Sequence, residues 1–331
     1  MNKSIISVAI LVIIITGICL AVSNNHNKSN GLQNVTVSQA FQVFLYAPLY
    51  IAQKEGYFTQ QGLNVNIVTA GGDDQAFASL VGGSAQFAVG DPTFAAVAGE
   101  KGQPGEVVGA LLNGVPFWGI AQNKNIPIIT ASSQLGNYKV ATYPAPNTAY
   151  ALQEQMFQNG GIKPNILQGA PGTLIPAVQK GSADIALELE PDVSTAISSD
   201  GFHIVYSLSQ YYPDFAITGI TVLPSYVQSN PNTIQKFINA IQEADVFIRN
   251  NPAQAATILA GQFNVTPSIA VSALKNIVSV NVIPSNLVTS QEGWDAAIQL
   301  RKDTGDITGD APYATYVNNS FAESASSTYA Q

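Results

Sequence analysis

Short β-branched runs and longer apolar or amphipathic stretches alternate along this chain, and Gly, Pro and Asp mark most of the changes between them. The pattern is clearest over Val35–Asp91. Val35-Thr36-Val37 reads as a strand, and a helical pattern then begins at Ala47-Pro48 and stops at Gly56. Pro48 suits a first helical turn, where its missing N–H would have had no partner. A second strand, Leu63–Thr69, ends at Gly71-Gly72, and Asp73-Asp74 follow, where carboxylates can cap the next helix and face its positive end. Gln86–Val89 is a third strand, stopped by Gly90-Asp91-Pro92. Strand, helix, strand, helix, strand within one span predicts parallel pairing with right-handed crossovers. In open α/β sheets, ligands bind outside the carboxyl ends of such strands.

The rest of the chain continues the alternation. Phe94–Ala98 reads as a helix, Val107–Leu112 as a strand, Asn113–Phe117 as a loop and Trp118–Ala121 as a further strand. Asn123–Ser133 has no clear period and is expected to cross from one lobe to another. Tyr138–Ala141 begins a second β-α-β unit, with a helix at Thr148–Asn159, a short strand at Ile166-Leu167, a helix at Gly172–Lys180 and a strand at Ala183–Leu189. Its ending at Glu188-Leu189-Glu190-Pro191 repeats the order of residues 75–92: helix, Gly stop, strand, acidic residue, proline. Val205–Ser207 adds a strand, and the β-branched run Ile217–Val222 is expected to return to the first lobe. Pro231–Asn250, Pro252–Gln262, Pro267–Asn276 and Ser290–Thr304 read as helices, each starting near a Pro or Ser.

The segments APLYIAQKEGYFTQQGLNVNIV (Ala47–Val68) and ASLVGGSAQFAVGDPT (Ala78–Thr93), with a Gly-rich turn between them, carry a resemblance. Together they resemble the N-terminal lobe of the NMT1/THI5-like and SsuA-like solute-binding proteins of ABC transporters. The chain departs from that pattern at Gln86, where the family usually has Asp. The resemblance implies an α/β, two-lobed type II periplasmic-binding-protein fold, each lobe a mainly parallel sheet flanked by helices. It also implies a discontinuous first lobe, at about 34–124 plus 218–317, a second lobe at 125–217 and a C-terminal tail at 318–331. A ligand would sit between the lobes and be buried by their closure, and an ABC permease with its ATPase would be the partner.

Composition narrows the function. Charged residues make up only 10% of the chain, against ~25% in a typical soluble domain. The formal charge of −8 and the lack of any Lys/Arg cluster exclude a nucleic-acid partner, whose phosphates demand a basic footprint. Lys3 precedes an apolar run, Ile5–Val22, which reads as a signal peptide or an uncleaved anchor. Ala21-Val22-Ser23 offers a cleavage site, and Ser23–Gln33 a polar tether. The expected location is extracytoplasmic, with contact to the membrane through the N-terminal segment. Cys19, the single cysteine, follows Ile18 where a lipoprotein signal would want a small residue, so it reads as an ordinary apolar position. A mature chain without cysteine offers no thiolate nucleophile and no thiol-bound metal.

Catalysis finds little support. His26 and His203 are the only histidines, and no metalloprotease, nucleophile-elbow, P-loop or C-x-x-C pattern occurs. The fungal pyrimidine synthases within the wider resemblance use a Cys-rich iron site and pyridoxal phosphate. The mature part of this chain lacks those cysteines. No catalytic residue, metal or cofactor is therefore expected.

For binding, the candidates lie at strand carboxyl ends. Phe41, Gln42, Phe44 and Tyr46 follow the first strand and offer aromatic faces with one amide, although two of the four could be core. Gly72, in the Gly71-Gly72 turn, would let backbone N–H groups approach an anion. Asp91, with Thr93 beside it, either faces the cleft or caps the next helix. Trp118, with Phe117, forms an aromatic wall or buries a lobe surface. Asn147 and Thr148, near Pro144 and Tyr150, stand at a loop-to-helix junction where relatives place ligand-contacting groups, and capping would also explain both.

Glu188 and Glu190, two apart on a strand, share a face. Paired carboxylates there favour an uncharged or cationic heteroaromatic ligand, such as a thiamine-precursor-like pyrimidine. Only Lys54, Lys101, Lys124 and Lys139 lie in nearby segments, which disfavours sulfonate or nitrate. Import of such anions, a sensor ectodomain and a THI5-type pyrimidine synthase are the alternatives.

Overall fold

The computed structural model describes residues 31–329. The expected signal or anchor (residues 1–22), Cys19 and the tether up to residue 30 lie outside them.

Two five-stranded sheets organise the described residues. The strands are β1 (Gln33–Gln39), β2 (Leu63–Thr69), β3 (Phe87–Gly90), β4 (Glu106–Leu112), β5 (Trp118–Ala121), β6 (Val140–Thr142), β7 (Ile166–Gln168), β8 (Ile185–Glu188), β9 (His203–Ser207) and β10 (Thr218–Val222). The first sheet runs β2-β1-β3-β10-β4 and the second β7-β6-β8-β5-β9. β1 pairs with β2 and β3 in parallel, as the βαβαβ pattern predicts, and β6 does the same with β7 and β8. One strand in each sheet is antiparallel to both of its neighbours: β10 between β3 and β4, and β5 between β8 and β9. The two are the first strands after each crossing between lobes.

β5 is a correction to the expected boundary at residues 124 and 125. Because Trp118–Ala121 is hydrogen-bonded inside the second sheet, the chain has crossed by Asn113–Phe117. Asn123–Ser133, expected to be the crossing, lies along the second sheet, where Ile129 N–H donates to the Val205 carbonyl. The return at β10 is where the β-branched run indicated. All four residues of β8 are buried, the apolar Ile185–Leu187 and Glu188 at its end, as in an interior strand.

Helices cover the sheets: α1 (Ala47–Lys54), α2 (Tyr57–Gln60), α3 (Asp73–Val81), α4 (Phe94–Gly99), α5 (Thr148–Asn159), α6 (Leu174–Gln179), α7 (Asp192–Asp200), α8 (Pro224–Ser229), α9 (Pro231–Asn250), α10 (Pro252–Phe263), α11 (Pro267–Ser279), α12 (Gln291–Asp303), α13 (Tyr313–Tyr316) and α14 (Ser320–Tyr329). Proline opens α9, α10 and α11, and Thr266 and Ser290 accept N–H bonds as the caps of α11 and α12. The expected C-terminal tail is largely α14, which packs on α9. Phe321, Ala322 and Ala325 form its buried face at a helical spacing of three to four.

A continuous apolar core runs through both lobes, and a smaller cluster around Trp294, Phe77 and Phe94 holds α12 against α3 and α4. Gln86, the departure from the family pattern, accepts the Thr36 N–H at 2.8 Å and so secures the approach to β3.

Candidate functional site

The carboxyl ends of the two sheets face a narrow cavity of about 30 Å3, lined from the first lobe by Phe41, Leu45, Tyr46, Asp73, Ile217 and Thr218. The second lobe adds Tyr143, Asn147, Thr148, Ala149 and Leu189, and Phe117 comes from the crossing. Phe41 and Tyr143, one ring from each lobe, lie 5.3 Å apart between centroids at 42°. Sites for small molecules usually measure ~300–1,000 Å3. A molecule of that size fits here only if these walls part.

Asp73 is the carboxylate of this cavity. α3 begins at it, its Oδ1 accepts the Asp91 N–H at 2.9 Å, and no protein donor among the described residues bonds its Oδ2. Burial, and then the negative charge of Asp91, push its pKa from 3.8 up to about 7. A Cβ at Gly90 would stand 2.7 Å from Asp73 Oδ1, so glycine at that strand end leaves room for the carboxylate.

Behind the cavity lies a buried polar cluster. Asp91 accepts from the Thr93 N–H at 2.7 Å and the Thr93 hydroxyl at 2.6 Å, and from the Thr148 hydroxyl. Arg301 of α12, 1% exposed, supplies the positive charge. Its Nη2 reaches Asp91 Oδ2 at 2.7 Å and Thr148 Oγ1 at 2.8 Å; Nη1 reaches Asp306 at 2.9 Å and the Pro146 carbonyl at 3.0 Å; Nε reaches Thr93 at 3.1 Å. A guanidinium has five N–H donors, and all five are used. Burial opposes the charge, but Asp91 and Asp306 outweigh it and hold the pKa above its ordinary value.

Of the residues expected to bind ligand, Phe41, Tyr46, Asn147 and Thr148 line the cavity. Asn147 stands at the N-cap of α5, yet its side chain makes no cap bond; it donates to the Pro144 carbonyl and its Oδ1 accepts the Asp73 N–H at 3.4 Å across the lobes. The others sit elsewhere. Gln42 is exposed and donates to the Gln262 carbonyl, and Phe44 is buried against Phe263 at 4.5 Å. Gly72 precedes a helix whose first turn carries Asp73 and Asp74, which is no cradle for an anion. Asp91 and Thr93 belong to the Arg301 cluster, and Trp118 is held inside the second sheet opposite Glu188 and Ser207.

Glu188 and Glu190 do not form the expected cleft pair. β8 ends at Glu188, and the chain turns before Glu190, so the alternation that would put both on one face stops between them. Glu188 accepts the Tyr143 hydroxyl at 3.0 Å and steadies that ring from behind; burial, then Asp192, raise its pKa to about 8. Glu190 accepts the Ser194 N–H at 3.0 Å, the Ser194 hydroxyl at 2.9 Å and Asn276 of α11 at 2.6 Å. It anchors α7 and ties it to the first lobe.

Sequence reasoning missed Asp73, Tyr143 and Arg301. Asp73 follows the Gly-Gly turn at a strand end and was readable there as more than a cap. Arg301, expected nowhere near these loops, arrives from a helix 210 residues away from Asp91.

Comparison with known proteins agrees with this architecture. The NMT1/THI5 like family model matches residues 44–255. The chain belongs to that family. Among curated relatives, YtlA of Bacillus subtilis (strain 168) is 22% identical over 310 residues, covering 89% of this chain and 91% of YtlA. The riboflavin-binding protein RibY of Chloroflexus aurantiacus is 22% identical over 233 residues, 69% of this chain and 66% of RibY. A ligand-binding component of an ABC-type import system from Staphylococcus aureus, solved with zinc bound, superimposes with a TM-score of 0.72 at 15% identity, covering 88% of this chain and 99% of that one. The fold is the type II periplasmic-binding-protein fold. YtlA is named as a putative binding protein and RibY as a riboflavin-binding protein.

Proposed function

We propose that this member of the NMT1/THI5-like family is the extracytoplasmic receptor of an ABC importer for a small, uncharged or cationic heteroaromatic molecule. It captures the molecule between the lobes and presents it to a permease. The cavity carries the reading: Phe41, Tyr46, Phe117 and Tyr143 supply aromatic walls, Asp73 supplies one buried acceptor, and no cation lines it. Aromatic faces stack on planar rings, and a carboxylate without a protein donor on one oxygen suits a ring N–H or amine. The likeness to a riboflavin-binding protein points the same way.

Sulfonate or nitrate is the alternative, and Arg301 is the residue that would favour it. With all five of its donors engaged, that guanidinium has none to give an anion unless the lobes separate. A thermal-shift screen of the full chain against aminopyrimidines, thiamine, riboflavin, sulfonates and nitrate tests the proposal. A ligand at a hundred times its Kd stabilises by ~2.7 kcal/mol. The expected result is a saturable shift with a heteroaromatic compound that Phe41→Ala weakens. A shift with the anions alone overturns it.

A further inference from the structure

Arg301 uses its donors unequally between the lobes. Three go to the first lobe: Nε to Thr93, Nη1 to Asp306 and Nη2 to Asp91. The guanidinium also lies over the Phe94 ring at 4.6 Å, so that lobe fixes its plane. The other two N–H groups cross to the second lobe, one to the Pro146 carbonyl at 3.0 Å and one to Thr148 Oγ1 at 2.8 Å. The Thr148 hydroxyl in turn donates to Asp91, which closes an Asp91–Arg301–Thr148 ring across the seam. Asp91 and Arg301 are both buried in this arrangement.

We propose that Arg301 is the positioning residue of an interlobe clasp, which holds the lobes together in the free receptor. The guanidinium is set by the first lobe before the second arrives, so closing costs little further side-chain ordering. Three charge-assisted hydrogen bonds form only on closing, two donated by Arg301 and one by the Thr148 hydroxyl to Asp91. Thr148 belongs both to the ring and to the cavity wall, so the clasp and the ligand site share a residue. Closure has its own driving contacts, and a ligand adds to a closed population already present. The clasp is independent of which ligand the cavity takes.

The test is made without ligand, so it can fail or succeed separately from the cargo assignment. Nitroxide labels at Lys101→Cys in the first lobe and Lys180→Cys in the second, in a full chain carrying Cys19→Ser, report the interlobe distance by pulsed electron paramagnetic resonance. Both lysines are exposed. The clasp predicts one dominant short distance. In Thr148→Val the ratio of open to closed receptor rises at least about tenfold, the low end for one hydrogen bond to a charged group, since the substitution removes two. Thr148→Ser keeps the hydroxyl and restores the short distance, which a role in packing alone would not require. Arg301→Gln opens the receptor further; should it fail to fold with Asp91 and Asp306 left unpaired, Thr148→Val still decides. A wild-type distribution dominated by a longer distance, or one unchanged in Thr148→Val, overturns the proposal.

Discussion

Replacing Asp73 by Asn should make the protein more stable, and increasingly so as the pH rises. The folded-state pKa of Asp73 is raised from 3.8 to about 7 by burial and by Asp91. The folded chain therefore keeps a proton that the unfolded chain has already released. Stability from this group is fully present below about pH 4, falls as the pH rises, and is lost once the pH passes the folded value near 7. Asn carries no titrating proton, and its Oδ1 can still accept the Asp91 N–H that Asp73 accepts at 2.9 Å. Between pH 5 and pH 8 the wild type should therefore lose roughly 3 kcal/mol relative to Asp73→Asn. Urea denaturation of both chains at pH 5, 6.5 and 8 measures that difference, taken between variants at each pH so that common titrations cancel. A difference that stays constant across the three values would refute the account of Asp73 as a carboxyl held partly neutral in a buried wall.

Two further substitutions probe the frame around the site. Glu190→Gln puts an amide N–H where three donors now converge from Ser194 and Asn276, so a denaturation curve should show a loss of about 1–3 kcal/mol; a variant as stable as the wild type would show that those contacts contribute nothing. Gly119→Ala places a Cβ 2.1 Å from the Tyr206 ring, whose hydroxyl donates to Gln153 at 2.6 Å in the second-lobe core. Overpacking of that kind costs about 1–3 kcal/mol, and an unchanged melting temperature would mean that β5 and β9 separate more readily than their pairing indicates.

Most of the fold was legible because its signals are local. The β-branched runs, the glycines that end them and the prolines that open α9, α10 and α11 each act within a few residues. The boundary at β5 failed for a different reason. Trp118–Ala121 is buried at every position, so nothing in its four residues says which sheet it joins, and the antiparallel partners β8 and β9 come some 70 to 90 residues later. α7 was missed because Glu190 and Pro191 read as the end of a unit. In the fold they start the helix, with the Glu190 carboxylate bonded to Ser194 in its first turn.

The site divides along the same line. Phe41, Tyr46, Asn147 and Thr148 follow strand ends in sequence, so the topological rule that puts ligands at carboxyl ends was enough to find them. The charge of the site could not be found that way, because it is decided by which ionised groups cancel. Glu188 and Glu190 looked like the negative pair, yet Glu188 is held by Tyr143 of its own lobe and Glu190 by Ser194 and by Asn276 across the seam. Asp91 looked like a cleft acid, yet Arg301 pairs with it from the far end of the chain. What remains toward the cavity is Asp73, near the middle of its titration at neutral pH. A site of that kind gives little attraction to an anion and limited attraction to a cation, while it presents an acceptor to any ring N–H between two aromatic faces. The proposed heteroaromatic cargo therefore no longer rests on the two glutamates but on Asp73, while the pairing of Arg301 with Asp91 and Asp306 removes the cation an anion would need.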